Sequence, residues 1–155
     1  MVELIVVLVL IGIVSTVAAS RFFERSSFDA AAWSDRVKSM LRHGQKVAIA
    51  QNRPVFVLLA PERVALCLEA SAACPETAQV RAPGGANSGS EETRAACGAD
   101  AWMCEAAPAG VRMTVPGAAV GFDGLGRARG AGVITITDGS LAHTVRIDAE
   151  TGHVD

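Results

Sequence analysis

The sequence predicts an α+β fold in which one long N-terminal helix leads into a domain of antiparallel strands. Three observations predict it. Met1 to Ala19 is almost wholly apolar, the stretch from Arg21 to Gln51 repeats apolar side chains at helical spacing, and beyond Pro54 the pattern changes to short apolar runs separated by turn residues. The chain divides accordingly into a hydrophobic N-terminal helix at 1–20, an amphipathic continuation at 21–52, and a β-rich head at 53–155 with a long cysteine-bearing loop at about 71–109.

The first segment, MVELIVVLVLIGIVSTVAA, carries one carboxylate, Glu3, and no charge from Leu4 to Ala19. As a helix that uncharged run rises about 24 Å, somewhat less than a ~30 Å hydrocarbon core, so it is expected both to enter a membrane and to pack against protein. A secretory signal peptide is the rival, since Ser15-Thr16-Val17-Ala18-Ala19-Ser20 has the small residues of a cleavage site. That reading wants a basic region in front, where this chain places an acid. Taken alone, Glu3 reads as a marker of the membrane edge, because a carboxylate costs a few kcal/mol at the bilayer centre.

The helix continues through the apolar positions Trp33, Val37, Met40, Leu41, Val47 and Ala48, with Gly44 in register. Asp35, Lys38, Arg42 and Lys46 fall on another face and stay solvated or form spaced ion pairs. Ser26 and Ser27 offer a cap or a bend, and Asn52 with Pro54 ends the helix. Strands are expected at Val55–Ala60 and Val64–Ala70 around a Pro61-Glu62-Arg63 turn, then at Val111–Val115, Ala119–Phe122, Val133–Thr137 and Leu141–Ile147. Asp138-Gly139 and Thr151-Gly152 mark turns. Residues 71–109, rich in Ala, Gly, Ser and Pro, read as loop.

Four cysteines, Cys67, Cys74, Cys97 and Cys104, form two pairs of equal spacing. Local pairing, Cys67–Cys74 and Cys97–Cys104, is favoured, and each such bridge adds ~2–3 kcal/mol. Cross-pairing, which staples the loop to the sheet edge, is the alternative. The intervals are wider than zinc ligands use. Cysteines on a tethered domain point to an oxidising compartment such as the periplasm, although Arg21 and Arg25 after the apolar run lean the other way. The net charge is −2, so no global field draws the chain to nucleic acid or anionic lipid. His43, His143 and His153 read as surface histidines. No nucleophile, base and orienting group occur together, which argues against an enzyme, and no cofactor or metal is implied.

Val2-Glu3-Leu4-Ile5 and the apolar run that follows resemble the N-terminal helix of type IV pilins and of the pseudopilins of type II secretion. The stretch RFFERSSFDAAAWSDRVKSMLRHGQKVAIAQNRPVFV is similar to the corresponding part of MshC-type proteins of MSHA pili. Phe122 before a Gly-Arg stretch resembles GspH/FimT-type members. The resemblance implies a type IV pilin-like fold with a membrane-inserted first half of the helix, and a methylated mature N-terminus. It implies that Glu3 neutralises the terminal ammonium of a neighbouring subunit. Two further mature residues and a basic leader, cut by prepilin peptidase, are expected ahead of Met1, and Ser20 stands where many members carry a kinking Pro. The implied function is non-enzymatic: a minor pilin or pseudopilin acting in filament assembly, at initiation or near the tip. Its partners are other major and minor pilin subunits, and its location is the bacterial inner membrane and then the filament. Gly126-Arg127-Ala128-Arg129 also fits the Gly-Arg-x-Arg motif that contacts DNA in FimT proteins of natural transformation. That makes Arg127 and Arg129 candidate DNA contacts and a DNA-uptake pilin the alternative function.

Overall fold

The computed structural model describes residues 2–130 and 132–155, with the side chains of residues 16–27 outside that description. The fold is α+β. Helix α1 (Val2–Gln51) runs for 50 residues and remains helical through Ser26 and Ser27. The side chains of those two serines, like those of Ser20, Arg21, Glu24 and Arg25, lie outside the described residues. The helix ends where the sequence places its stop. Asn52 takes a left-handed conformation at φ 46°, its N–H donates to the Ile49 carbonyl, and the Arg53 N–H reaches back to the Ala48 carbonyl. This pair of bonds satisfies carbonyls that a helix end leaves open, and Pro54 then commits the chain to extended geometry.

Eight strands follow: β1 (Val55–Ala60), β2 (Arg63–Cys67), β3 (Cys104–Ala106), β4 (Arg112–Thr114), β5 (Ala119–Phe122), β6 (Ala128–Arg129), β7 (Val133–Thr137) and β8 (Ala142–Arg146). They form two antiparallel sheets, one ordered β3-β2-β1-β5-β6 and one ordered β4-β7-β8. Strand alternation decides which side chains meet the helix. Val55, Val57 and Leu59 of β1 join the main core under α1, whereas Phe56 and Leu58 turn to the opposite face. From the helix, Trp33, Val37, Met40, Leu41 and Ala48 are buried as the spacing predicts, and Val47 packs at the margin. Ala30 and Ser34 are buried as well. Gly44 sits where helix and sheet approach most closely. A methyl group there would lie 2.9 Å from Cγ2 of Val57, so any side chain would push α1 off β1.

Residues 71–109 correct the sequence reading. The stretch is not a plain loop but a small lobe holding a 3-10 turn (Glu76–Ala78), helix α2 (Glu91–Cys97) and the edge strand β3. It covers the outer face of the five-stranded sheet with a second core in which Leu58, Ala65, Ala78 and Trp102 surround the two disulfides. These are Cys67–Cys74 and Cys97–Cys104. The Trp102 indole N–H donates to the Leu66 carbonyl at 2.8 Å, and the Arg63 guanidinium lies 5.8 Å over the same ring. Helix α2 is capped at one end by Ser90, whose hydroxyl accepts from the Thr93 N–H, and at the other by Gly98 in the left-handed region.

A buried carboxylate ties the segments of the lobe together and meets α1 at its edge. Glu105 on β3 is only 4% exposed. It accepts hydrogen bonds from the Ser88 backbone N–H at 2.9 Å, from the Ser88 hydroxyl, and from the Thr93 hydroxyl at 3.2 Å. Arg36 of α1 stands 3.7 Å away with its own side chain half exposed. The hydrogen bonds therefore carry more of the stabilisation than the ion pair, which solvent screens from the arginine side.

Smaller departures follow from local chemistry. The second strand stops at Cys67, where the disulfide turns the chain, rather than at Ala70. The turn after β7 runs through Asp138, Gly139, Ser140 and Leu141, because Asp138 Oδ1 accepts from both N–H groups of Ser140 and Leu141 and delays the return strand.

Replacing Glu105 by Ala strands the Ser88 and Thr93 donors and is expected to cost about 2–4 kcal/mol. Glu105→Gln, which keeps acceptor capacity, is expected to cost less. Denaturant midpoints with unchanged slopes would measure both, and an Ala variant as stable as the parent would rule out the anchoring role.

Candidate functional site

Two regions contain the candidate residues, and they lie at opposite ends of α1. From Glu3 to Gln45 the helix rises about 63 Å. At the N-terminal end every described side chain from Val2 to Ser15 is exposed, including Val2 at 76% and Leu8 at 62%. The exposed apolar surface runs right round the helix, whereas a helix serving only its own domain exposes one polar face. Glu3 stands exposed in the first turn, where a carboxylate favours the helix dipole. Among the described residues no helix is long and apolar enough to cross a membrane. The apolar run whose side chains are described, Leu4 to Ser15, rises about 18 Å, and the rest of the expected 1–20 segment lies outside the described side chains.

The other region is the Gly-Arg loop between β5 and β6. Its organiser is Asp123, four residues ahead of Arg127. Asp123 Oδ1 accepts from the backbone N–H groups of Leu125 and Arg127, each at 3.0 Å, and Oδ2 accepts from Nε of Arg127 at 3.0 Å. Partial desolvation pushes the Asp123 carboxyl upward. The bonds from the Arg127 N–H and side chain and from the Leu125 N–H, with the guanidinium charge, outweigh that push and hold the group below its usual range. Arg127 is thus half neutralised where it stands. Arg129, on β6, is exposed and makes no ion pair among the described residues.

The register puts Arg129 opposite Gly121 and Gly121 opposite Phe56. These three lie in one row on the outer face of the sheet, which at Phe56 borders the disulfide core. A cleft of about 340 Å³ beside that row is lined by Pro54, Phe56, Gly121, Phe122, Asp123 and Arg129. The Phe56 ring lies over Gly121, where a methyl group would come within 3.0 Å of it. The two arginines of the sequence motif therefore differ: one is committed to the loop and one faces an aromatic-lined cleft.

The loop is fastened to α1 by a residue that helical spacing does not single out. Gln45 Nε2 donates to the carbonyls of Gly126 and Thr151, both at 2.9 Å. Gly152, in the left-handed region at φ 66°, presses so closely on the Gly126 carbonyl that a side chain there would collide with it. The turn carrying Gly152 is held by Asp148, whose Oδ1 accepts from Thr151 and Glu150. Those bonds lower its carboxyl from the ordinary value, Thr151 N–H foremost. A polar residue beside Gly44 and a Thr-Gly turn were the only signs of this joint in the sequence.

Burial first, then the nearby Lys46 charge, depress the His43 imidazole. His143 lies on β8, and His153 contacts Asp155 at 2.7 Å. All four sulfurs are bound in disulfides, so none is available as a thiolate nucleophile or a metal ligand.

Because the Asp123 carboxyl is lowered by folding, its contribution is fully present above the ordinary carboxylate range and is lost as pH falls through its depressed folded value. Amide exchange at Leu125 and Arg127 is expected to quicken over that acid interval beyond the intrinsic trend. In Asp123→Asn the acid-dependent change should vanish. Equal pH profiles for parent and variant would show that Asp123 does not hold the loop. Comparison of the chain with protein-family models, with curated proteins and with solved structures finds no match.

Proposed function

We propose that the chain is a filament subunit of the type IV pilin and pseudopilin kind, a non-enzymatic minor pilin that assembles through the N-terminal half of α1. The observation that carries the reading is the helix itself. One rod of 50 residues is packed into a head from Ala30 to Ala48 and, where its N-terminal side chains are described, is apolar and exposed on all sides from Leu4 to Val14. Such a surface requires either lipid or the same segment of other subunits around it. The inner membrane before assembly and a bundle of like helices afterwards provide both. Glu3, the single carboxylate from Val2 to Ser15, then has a role that burial among helices makes strong, since a neighbouring subunit's ammonium is the partner that relieves its desolvation. The periplasmic placement of the head draws support from the two disulfides.

Glu3→Ala is expected to leave the head folded and the protein in the membrane fraction while filament incorporation falls to background. Immunoblots of sheared filaments beside membrane fractions read the two quantities separately. Normal incorporation of the variant would refute the role of Glu3.

A second reading, a DNA-binding pilin of uptake filaments, is favoured by one observation: Arg129 makes no ion pair among the described residues and lines a cleft with Phe56, an arrangement that suits a phosphate with an adjacent base. On this reading Arg129→Ala abolishes salt-sensitive DNA binding by the detergent-solubilised chain, and Arg127→Ala weakens it less because Asp123 already holds that charge. Absence of binding at low salt would eliminate the reading.

A further inference from the structure

One side of α1 carries a basic stripe that the proposed assembly contact at Glu3 does not use and of which Arg42 bonds to the head. Lys38, Arg42 and Lys46 recur at four-residue intervals, so they line up along one face. With His43 they border a concave patch of about 330 Å³ in which Asp35 is the carboxylate. Arg42 Nη2 donates to the Val154 carbonyl at 2.7 Å, which fixes the guanidinium in place without cancelling its charge. The disulfide lobe shows the opposite sign. Glu76, Glu91, Glu92 and Asp100 are all exposed there, tempered by Arg81 and Arg94. The small net charge of the chain thus hides two patches of opposite sign.

We propose that the Lys38–Arg42–Lys46 face of one copy docks the disulfide lobe of a second copy, with Glu91 and Glu92 of α2 seated against the stripe. The inference rests on the subunit reading and extends it from the apolar half of α1 to the heads. Charge complementarity selects the occupant, because the acidic surface that fits the stripe is carried by the same chain. Phospholipid headgroups are a poor alternative. From Ala19, where the apolar run ends, to Lys38 the helix rises about 28 Å, beyond the reach of a lysine side chain to a membrane holding that run. Exposed ion pairs are individually weak and screened by salt, so the contact acts in register and orientation and adds to the helix packing.

The test uses the full chain in detergent micelles, where the apolar helices are covered. Sedimentation measures self-association at low and at high salt, and carbodiimide cross-linking of mixed isotope-labelled and unlabelled chains locates the contact. We expect Lys38 or Lys46 joined to Glu91 or Glu92 between copies, and an affinity at least about tenfold weaker at high salt. The double variant Lys38→Glu/Lys46→Glu should lose self-association, as should Glu91→Lys/Glu92→Lys. A mixture of the two variants should regain it, which separates lost docking from lost folding. Salt-independent association, or association equal to the parent in both variants, overturns the proposal, as does a mixture that stays dissociated. If charge reversal is silent while Glu3→Ala still blocks filament entry, the docking proposal fails and the subunit reading stands.

Discussion

The close approach of α1 to the sheets is the constraint on which the rest of the molecule depends. The apolar stripe from Ala30 to Ala48 seals the inner face of the five-stranded sheet and touches the three-stranded one, so a single helix holds two sheets that do not pair with each other. Gly44 sets the depth of that contact, because its missing side chain lets the helix backbone descend onto Val57 and Leu66. One residue further on, Gln45 uses the same proximity to grip the Gly-Arg loop and the final turn. Packing and site are therefore consequences of one geometry.

The outer face of the large sheet is solved by different means. The lobe that covers it has few apolar residues and is too small to bury a conventional core. Two disulfides, one indole and one buried carboxylate with its hydroxyl partners take the place of that core. Each disulfide closes locally, across a separation of 7. Glu105 binds the serine loop and α2 to β3 and also meets Arg36 of α1. The lobe leaves the β5–β6 end uncovered, and that gap is the cleft beside Arg129.

How much of this the sequence disclosed depends on whether period or chemistry does the holding. The helix, its buried stripe, its stop at Asn52 and most of the strands follow apolar periodicity and turn residues, and they were legible. Residues 71–109 were not, because cysteine, Trp102 and a buried Glu105 leave no periodic trace, and β6 is two residues in a glycine-rich run. The arginine motif was legible as a motif but not as a pair of unequal members. Asp123 lies four positions from Arg127 and pairs with it, while the strand register sets Arg129 opposite Gly121 beside the cleft. Glu3 was visible from composition, and its exposure in a bare helix is what the structure adds.

The continuity of α1 has a mechanical consequence. The rod that leaves the head bare at Val2 is the same rod that lies along the sheets from Ala30 to Ala48, so a pull on its N-terminal end is directed along that interface. Load in that direction is resisted in shear, by many side-chain contacts at once, and not by peeling them one at a time. The strands of the lobe and both disulfides lie off the load path. A head tethered in this way can be dragged by its helix without the tension opening the lobe or the cleft beside it.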